Sequence, residues 1–247
     1  MKKTLAVTLF LCLLFLPLTP AFTANAAETN TVTLTNVPDV SHFIQEPEPE
    51  GELHIAPATV VSANGTEEVW FVAVRGIDWL MRGVNNFLTY IIVSFNGGNR
   101  YLTLAKNAIL QNVPEGAKLV LAGHSLGGMI VQQLICDDEI TAKYEVVNAL
   151  TFGSPYVVVD ESKREGKLYR MEDKYDTVPK FSIALFMSPA NYNGGIKRGS
   201  PYLGDPNGAH NNSYKRTDIW GAFDALGHEN GGAKLVLNAD AMVTVKA

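Results

Sequence analysis

The 247-residue sequence predicts an α/β fold: a mostly parallel central sheet with helices on both faces and an antiparallel hairpin towards its N-terminal side. Three observations carry this expectation. Short apolar runs at 118–122, 145–152 and 167–171 read as strands buried on both faces. Helical spacing flanks the first of them, and strands alternating with helical patterns imply crossover connections and parallel pairing. Finally, Ala63-Asn64-Gly65-Thr66 separates two strand-like runs, 53–62 and 67–74, and Asn-Gly is the strongest short hairpin signal.

Taken in order, the chain opens with Lys2 and Lys3, an apolar run over 5–16, then Pro17, Pro20 and the small-residue site Ala24-Asn25-Ala26. This is the pattern of an export signal, so residues 1–26 are expected to be cleaved and 27–247 to form one secreted domain, periplasmic or extracellular. The apolar run falls short of the roughly 20 residues a spanning helix needs, so no stable membrane span is expected. A short strand is expected at 31–35, and Pro47-Glu48-Pro49-Glu50-Gly51 is a proline-broken loop. Tyr101, Leu104, Ala105, Ala108 and Ile109 mark a helix over 101–113 that Pro114 ends. Beyond 167–171, the segment 181–209 reads as surface loop around a short helix, and a further helix passes through Tyr214 and Trp220. A short helix and turn are expected in 221–232, and edge strands in 233–245.

Composition narrows the function. There are 20 basic and 25 acidic residues, and losing Lys2 and Lys3 takes the formal charge from −5 to −7. No basic cluster exists, which argues against a nucleic-acid partner. After cleavage Cys136 is the single cysteine, so no internal disulfide can form, and a buried structural thiol is expected.

The chemistry centres on Gly123-His124-Ser125-Leu126-Gly127-Gly128. An apolar strand enters it, and Leu126, Met129, Ile130 and Leu134 leave it at helical spacing towards Cys136. The backbone must reverse within a residue or two, so the serine is strained and its neighbours carry almost no side chain. That turn exposes the hydroxyl at a strand's carboxyl end, near the positive end of a helix, and aims the Leu126 backbone N–H at a developing oxyanion.

Such a serine needs a base, and the base an orienting acid; in α/β-hydrolases they follow in the order serine, acid, histidine. His42 and His54 precede Ser125 and read as surface or sheet residues, and His124 sits inside the turn in a packing or pocket-edge role. His210, in the loop Asn207-Gly208-Ala209-His210-Asn211, is favoured over His228, which neighbours a helix C-cap. For the acid, Asp176 beyond a strand end is favoured over Asp173, while Asp137 and Asp138 cap the far end of the serine's helix.

The chain resembles the fungal-type, or class 3, lipases of the α/β-hydrolase superfamily. The resemblance rests on Val72-Ala73-Val74-Arg75-Gly76 with Asp78-Trp79, on the serine turn, on Thr151-Phe152-Gly153-Ser154-Pro155, and on Asp176-Thr177-Val178-Pro179. It implies an α/β-hydrolase fold, with Ser125 as nucleophile, Asp176 as triad acid, His210 as general base and the Ile77 backbone N–H as a second oxyanion donor. Two positions depart from the family: Ile77 stands where Ser or Thr is usual, and Tyr156 where arginine is frequent. The apolar stretch 79–95 corresponds to lid and acyl-binding surface in such lipases, and core helix is the equal alternative. Asp205-Pro206-Asn207-Gly208 reads as a plain turn rather than a calcium loop.

The expected function is therefore a secreted serine hydrolase of carboxylic esters, with lipid esters implied by the resemblance and a lipid–water interface as partner. No metal or organic cofactor is required. An inactive binding protein on the same scaffold, or a thioesterase or acyltransferase using the same residues, is the alternative.

Overall fold

Along the strand Lys118–His124, Leu119 and Leu121 point into one core while Val120 and Ala122 point into another. An element apolar on both sides must be covered on both, and this requirement organises the molecule. The computed structural model describes residues 29–46, 51–76, 100–157, 161–180 and 194–246.

In chain order the elements are β1 (Thr31–Leu34), α1 (Val37–Gln45), β2 (Leu53–Ser62), β3 (Gly65–Val74) and α2 (Arg100–Asn112). Then follow β4 (Lys118–His124), α3 (Leu126–Leu134), α4 (Asp138–Lys143), β5 (Glu145–Phe152) and β6 (Lys167–Asp173). A 3₁₀ turn at Val178–Lys180 precedes β7 (Ile196–Arg198), α5 (Pro206–Asn212), a second 3₁₀ turn at Ser213–Lys215, and α6 (Thr217–Trp220). The chain closes with β8 (Lys234–Asn238) and β9 (Val243–Val245).

These strands form one nine-stranded sheet in the order β1-β8-β2-β3-β4-β5-β6-β7, with β9 also on β2. β3 to β7 run parallel, whereas β1, β8, β2, β9 and β3 meet in antiparallel pairs. The sheet is thus mixed rather than mostly parallel. The reason is long-range pairing: the two C-terminal strands return to share one edge of β2, β8 along Ala58–Val61 and β9 along Leu53–Ile55.

The hairpin forms where expected, with its turn closing on Ala63-Asn64 and Gly65 at φ +118 opening β3. Helix α2 stops short of Pro114, whose ring disfavours helical backbone before it. It packs with α3 and α4 on one face, around Ile109, Leu121, Met129 and Leu134. Helix α1 and the Tyr214–Phe223 region cover the other, around Ile44, Phe71, Phe152 and Trp220.

Some local expectations are corrected. Helix α1 was not anticipated: Asn36 caps it by accepting from Asp39 N at 2.9 Å, and Val37, Val40, Ser41 and Ile44 form its buried stripe. Strand β7 lies inside the stretch read as loop. Asp137 does not cap the end of α3; its Oδ1 accepts from Glu139 N and Ile140 N at 3.0 and 3.2 Å and starts α4. Cys136 is half-buried against the core rather than fully buried. The expected leader 1–26, Ile77 and the stretch 79–95 lie outside the described residues. Among those described, no helix is long and apolar enough to cross a membrane.

Candidate active site

Ser125 stands alone between β4 and α3 at φ 56, ψ −123, one of two non-glycine residues with positive φ among those described. A backbone so strained persists only where the surroundings over-determine it. Here they do: Ser125 N donates to Phe152 O at 2.8 Å, and Gly128 N donates to Ser125 O at 3.1 Å. The flanking glycines are steric necessities. A Cβ on Gly123 would lie 2.5 Å from Gly127 C and O, one on Gly128 2.5 Å from Ser154 Cβ, and one on Gly127 would collide with the Val74 carbonyl. Gly76, at the end of β3, crosses so near the serine that a Cβ there would lie 2.9 Å from Ser125 Cβ. Leu126 is the first residue of α3, where backbone N–H groups have no intrahelical acceptor.

Asp176 lies beyond the end of β6 and is wholly buried. Its Oδ1 accepts from Val178 N at 2.8 Å, and its Oδ2 lies 2.9 Å from His210 Nδ1. The Tyr214 hydroxyl donates to the same Oδ2 at 2.8 Å. Burial, and then the neighbouring Asp176, push the Tyr214 phenol well above its ordinary range, so it keeps its proton and serves as donor. In turn it accepts from Asp173 N at 3.0 Å. Tyr214 was not among the expected site residues, although it follows His210 by four positions.

His210 is on a helix, not in the loop expected for it. Asp205 caps α5 by accepting from Gly208 N at 2.8 Å, with Pro206 in the first turn. This is the local role of Asp205-Pro206-Asn207-Gly208. The helix delivers a buried imidazole, 2 % exposed, to the Asp176 carboxyl.

Two features bring this pair to the serine. Phe152, whose carbonyl accepts from Ser125 N, is followed by Gly153 at φ +57. A Cβ on Gly153 would lie 2.6 Å from Asp176 Oδ2 and 3.0 Å from His210 Nδ1, so the end of β5 touches both Ser125 and the Asp176–His210 pair. His124, joined covalently to Ser125, places its Nε2 2.9 Å from the His210 carbonyl. From the other side, Gln132 of α3 donates to Ser154 Oγ and Pro155 O at 3.0 and 2.9 Å, fixing the loop after β5 to the serine's helix.

The remaining candidates lie elsewhere. His228 Nδ1 is 3.4 Å from Asp224 Oδ2, and its ring meets Tyr169 edge-on at 5.1 Å. His42 is exposed on α1, and His54 is buried in β2 beside the Phe43 ring. Asp173 is buried with its Oδ1 accepting from Tyr175 N at 2.8 Å, and pairs with no histidine among the described contacts. At Tyr156, the Arg170 guanidinium sits 4.7 Å over the ring. Among the described residues no cluster of three or more His, Cys, Asp or Glu side chains could hold a metal ion.

Compared with known proteins, the chain matches no family model, no curated sequence and no solved structure.

Proposed function

We propose that this protein is a serine hydrolase of carboxylic esters, built as an α/β-hydrolase, with Ser125, His210 and Asp176 as its triad. The observation that carries the reading is the joint placement of a positive-φ serine on a strand-to-helix turn and a buried Asp176–His210 pair at 2.9 Å, both packed on the end of β5. A buried carboxyl on Nδ1 fixes the imidazole so that Nε2 is the nitrogen that takes up the proton.

In this mechanism Ser125 Oγ gives its proton to His210 Nε2 as it attacks the ester carbonyl carbon. The carbonyl π electrons move to oxygen, and the Leu126 backbone N–H donates to that oxyanion; Ile77 N–H is assigned as the second donor by the lipase resemblance. Collapse of the intermediate expels the alcohol, which receives the proton from His210, and leaves an acyl-serine. Water then repeats the sequence, with His210 again taking and returning a proton, to release the acid. Lipid esters are the substrates proposed on the same resemblance, and export is proposed from the leader over residues 1–26.

The test is ester turnover by the purified mature chain and by Ser125→Ala. The wild type is expected to hydrolyse p-nitrophenyl esters, and Ser125→Ala to lose about 10⁴- to 10⁶-fold in kcat. Hydrolysis that survives in Ser125→Ala overturns the assignment. A wild type inert towards short- and long-chain esters that binds a surface tightly supports the inactive binding protein instead.

A further inference from the structure

We propose that His124 is a positioning residue that ties the backbone of the base to the nucleophile's own strand; this rests on the hydrolase reading above. His210 O is among the last four carbonyls of α5, which run out of helical N–H partners. Its neighbour Ala209 O is satisfied by Ser213 Oγ at 2.6 Å, and His210 O lies 2.9 Å from His124 Nε2. A carbonyl only accepts, so Nε2 carries the hydrogen, and in the neutral ring Nδ1 is left as acceptor.

His210 is thus held twice. Asp176, from beyond β6, orients its ring through Nδ1, and His124, from the end of β4, fixes its backbone. Since His124 adjoins Ser125, that second hold references the base to the serine, not to the acid. The two imidazoles also face one another, with centroids 4.6 Å apart and planes inclined by 40°.

Charge decides what this position can contain. Burial first, and then the facing His210, hold His124 well below the ordinary histidine value. Lys215 and Arg75 push the same way, and only the bond to His210 O opposes them. Among the described residues His210 meets the His124 ring, Asp176 on its Nδ1 and, through that carboxyl, the Tyr214 phenol. A neutral donor at 124 therefore lets His210 become cationic beside it during turnover, where a second cation would oppose proton uptake.

The test uses the mature full-length chain carrying His124→Phe, which keeps a ring but loses the donor, and His124→Gln, whose amide nitrogen reaches as far as Nε2. Turnover of p-nitrophenyl butyrate is measured with thermal unfolding alongside. His124→Phe is expected to lower kcat about 10- to 100-fold with little change in KM, and His124→Gln to recover most of that loss. If His124→Phe does not fold, His124→Asn, with the same amide one bond shorter, takes its place in the comparison. A His124→Phe enzyme as fast as wild type, or a His124→Gln enzyme as slow as His124→Phe, overturns the inference alone. A wild type that neither turns over ester nor reacts with a fluorophosphonate overturns the hydrolase reading and this inference with it.

Discussion

Among the described residues there are two Asp–His pairs, and the difference between them separates a candidate site from a structural contact. Asp224 and His228 are four residues apart in sequence, 3.4 Å apart in space, and the His228 side chain is 40 % exposed. Asp224 accepts from the backbone N–H groups of Leu226, His228 and Ala233, so its carboxyl builds a turn and the imidazole rests at that turn's edge. Asp176 and His210 are 34 residues apart, meet at 2.9 Å, and are both buried. Their surroundings are aimed at the strained serine: Gly153 leaves them room, Tyr214 holds the carboxyl, and His124 holds the helix that carries the ring. An acid beside an imidazole is common chemistry. Burial and attachment to a strained serine set this pair apart, and on the proposed reading they make it useful.

Deleting each imidazole gives the largest contrast between the two pairs. His210→Ala is expected to lower kcat about 10⁴- to 10⁶-fold, whereas His228→Ala leaves kcat unchanged and costs about 0.5 kcal/mol in urea unfolding, as loss of a half-exposed polar contact does. Equal kinetic losses at the two positions erase the distinction. Next come the acids. Asp176→Asn is expected to reduce kcat about 10⁴-fold by disturbing the imidazole's tautomer. Asp224→Ala, by stranding buried N–H donors, is expected to lower unfolding stability by about 2–3 kcal/mol and leave the kcat of the folded fraction intact.

A smaller effect is expected at Gly153. An added methyl there presses on Asp176 and His210, so Gly153→Ala is expected to cost about 100-fold in kcat, with about 1 kcal/mol of stability lost to the positive φ. An unimpaired Gly153→Ala enzyme would show that the pair tolerates displacement. The smallest effect concerns acid. Because His124 is held well below its ordinary value of 6.5 in the folded chain, the unfolded chain binds its proton first as pH falls. Stability from this residue is therefore full above about pH 6.5 and declines by about 1.4 kcal/mol per pH unit below it, until the folded ring also titrates. His124→Gln is expected to flatten that slope in urea titrations at pH 7, 6 and 5.

Much of this arrangement was legible in sequence because its determinants are local. The turn around Ser125 is specified by a buried strand, three glycines and an amphipathic helix within 17 residues, from Lys118 to Leu134. The choice of Asp176 and His210 over Asp173 and His228 agrees with the one buried long-range Asp–His pair among the described residues. What escaped notice depends on distant partners or on short elements. β8 and β9 read as edge strands, but nothing in their residues specifies β2 as their neighbour, so the mixed character of the sheet stayed hidden. β7 has three residues and exists by pairing with β6. α5 contains Gly208 and three asparagines, poor helix formers, yet its Asp205-Pro206 start was a readable cap. Likewise Asn36, Asp39 and the spacing of Val37, Val40 and Ile44 announced α1, and Tyr214 stood one helical turn past His210. These signals were present, and short length masked them.

On the proposed reading His210, held by Asp176, activates Ser125. The most direct measurement of this is the second-order rate at which a fluorophosphonate modifies Ser125, read by intact mass and peptide mapping in wild type, His210→Ala and His228→Ala. One adduct on Ser125 is expected in the wild type, a rate at least about 100-fold lower in His210→Ala, and no change in His228→Ala. An adduct that forms equally fast without His210, or a wild-type serine that never reacts, contradicts that reading.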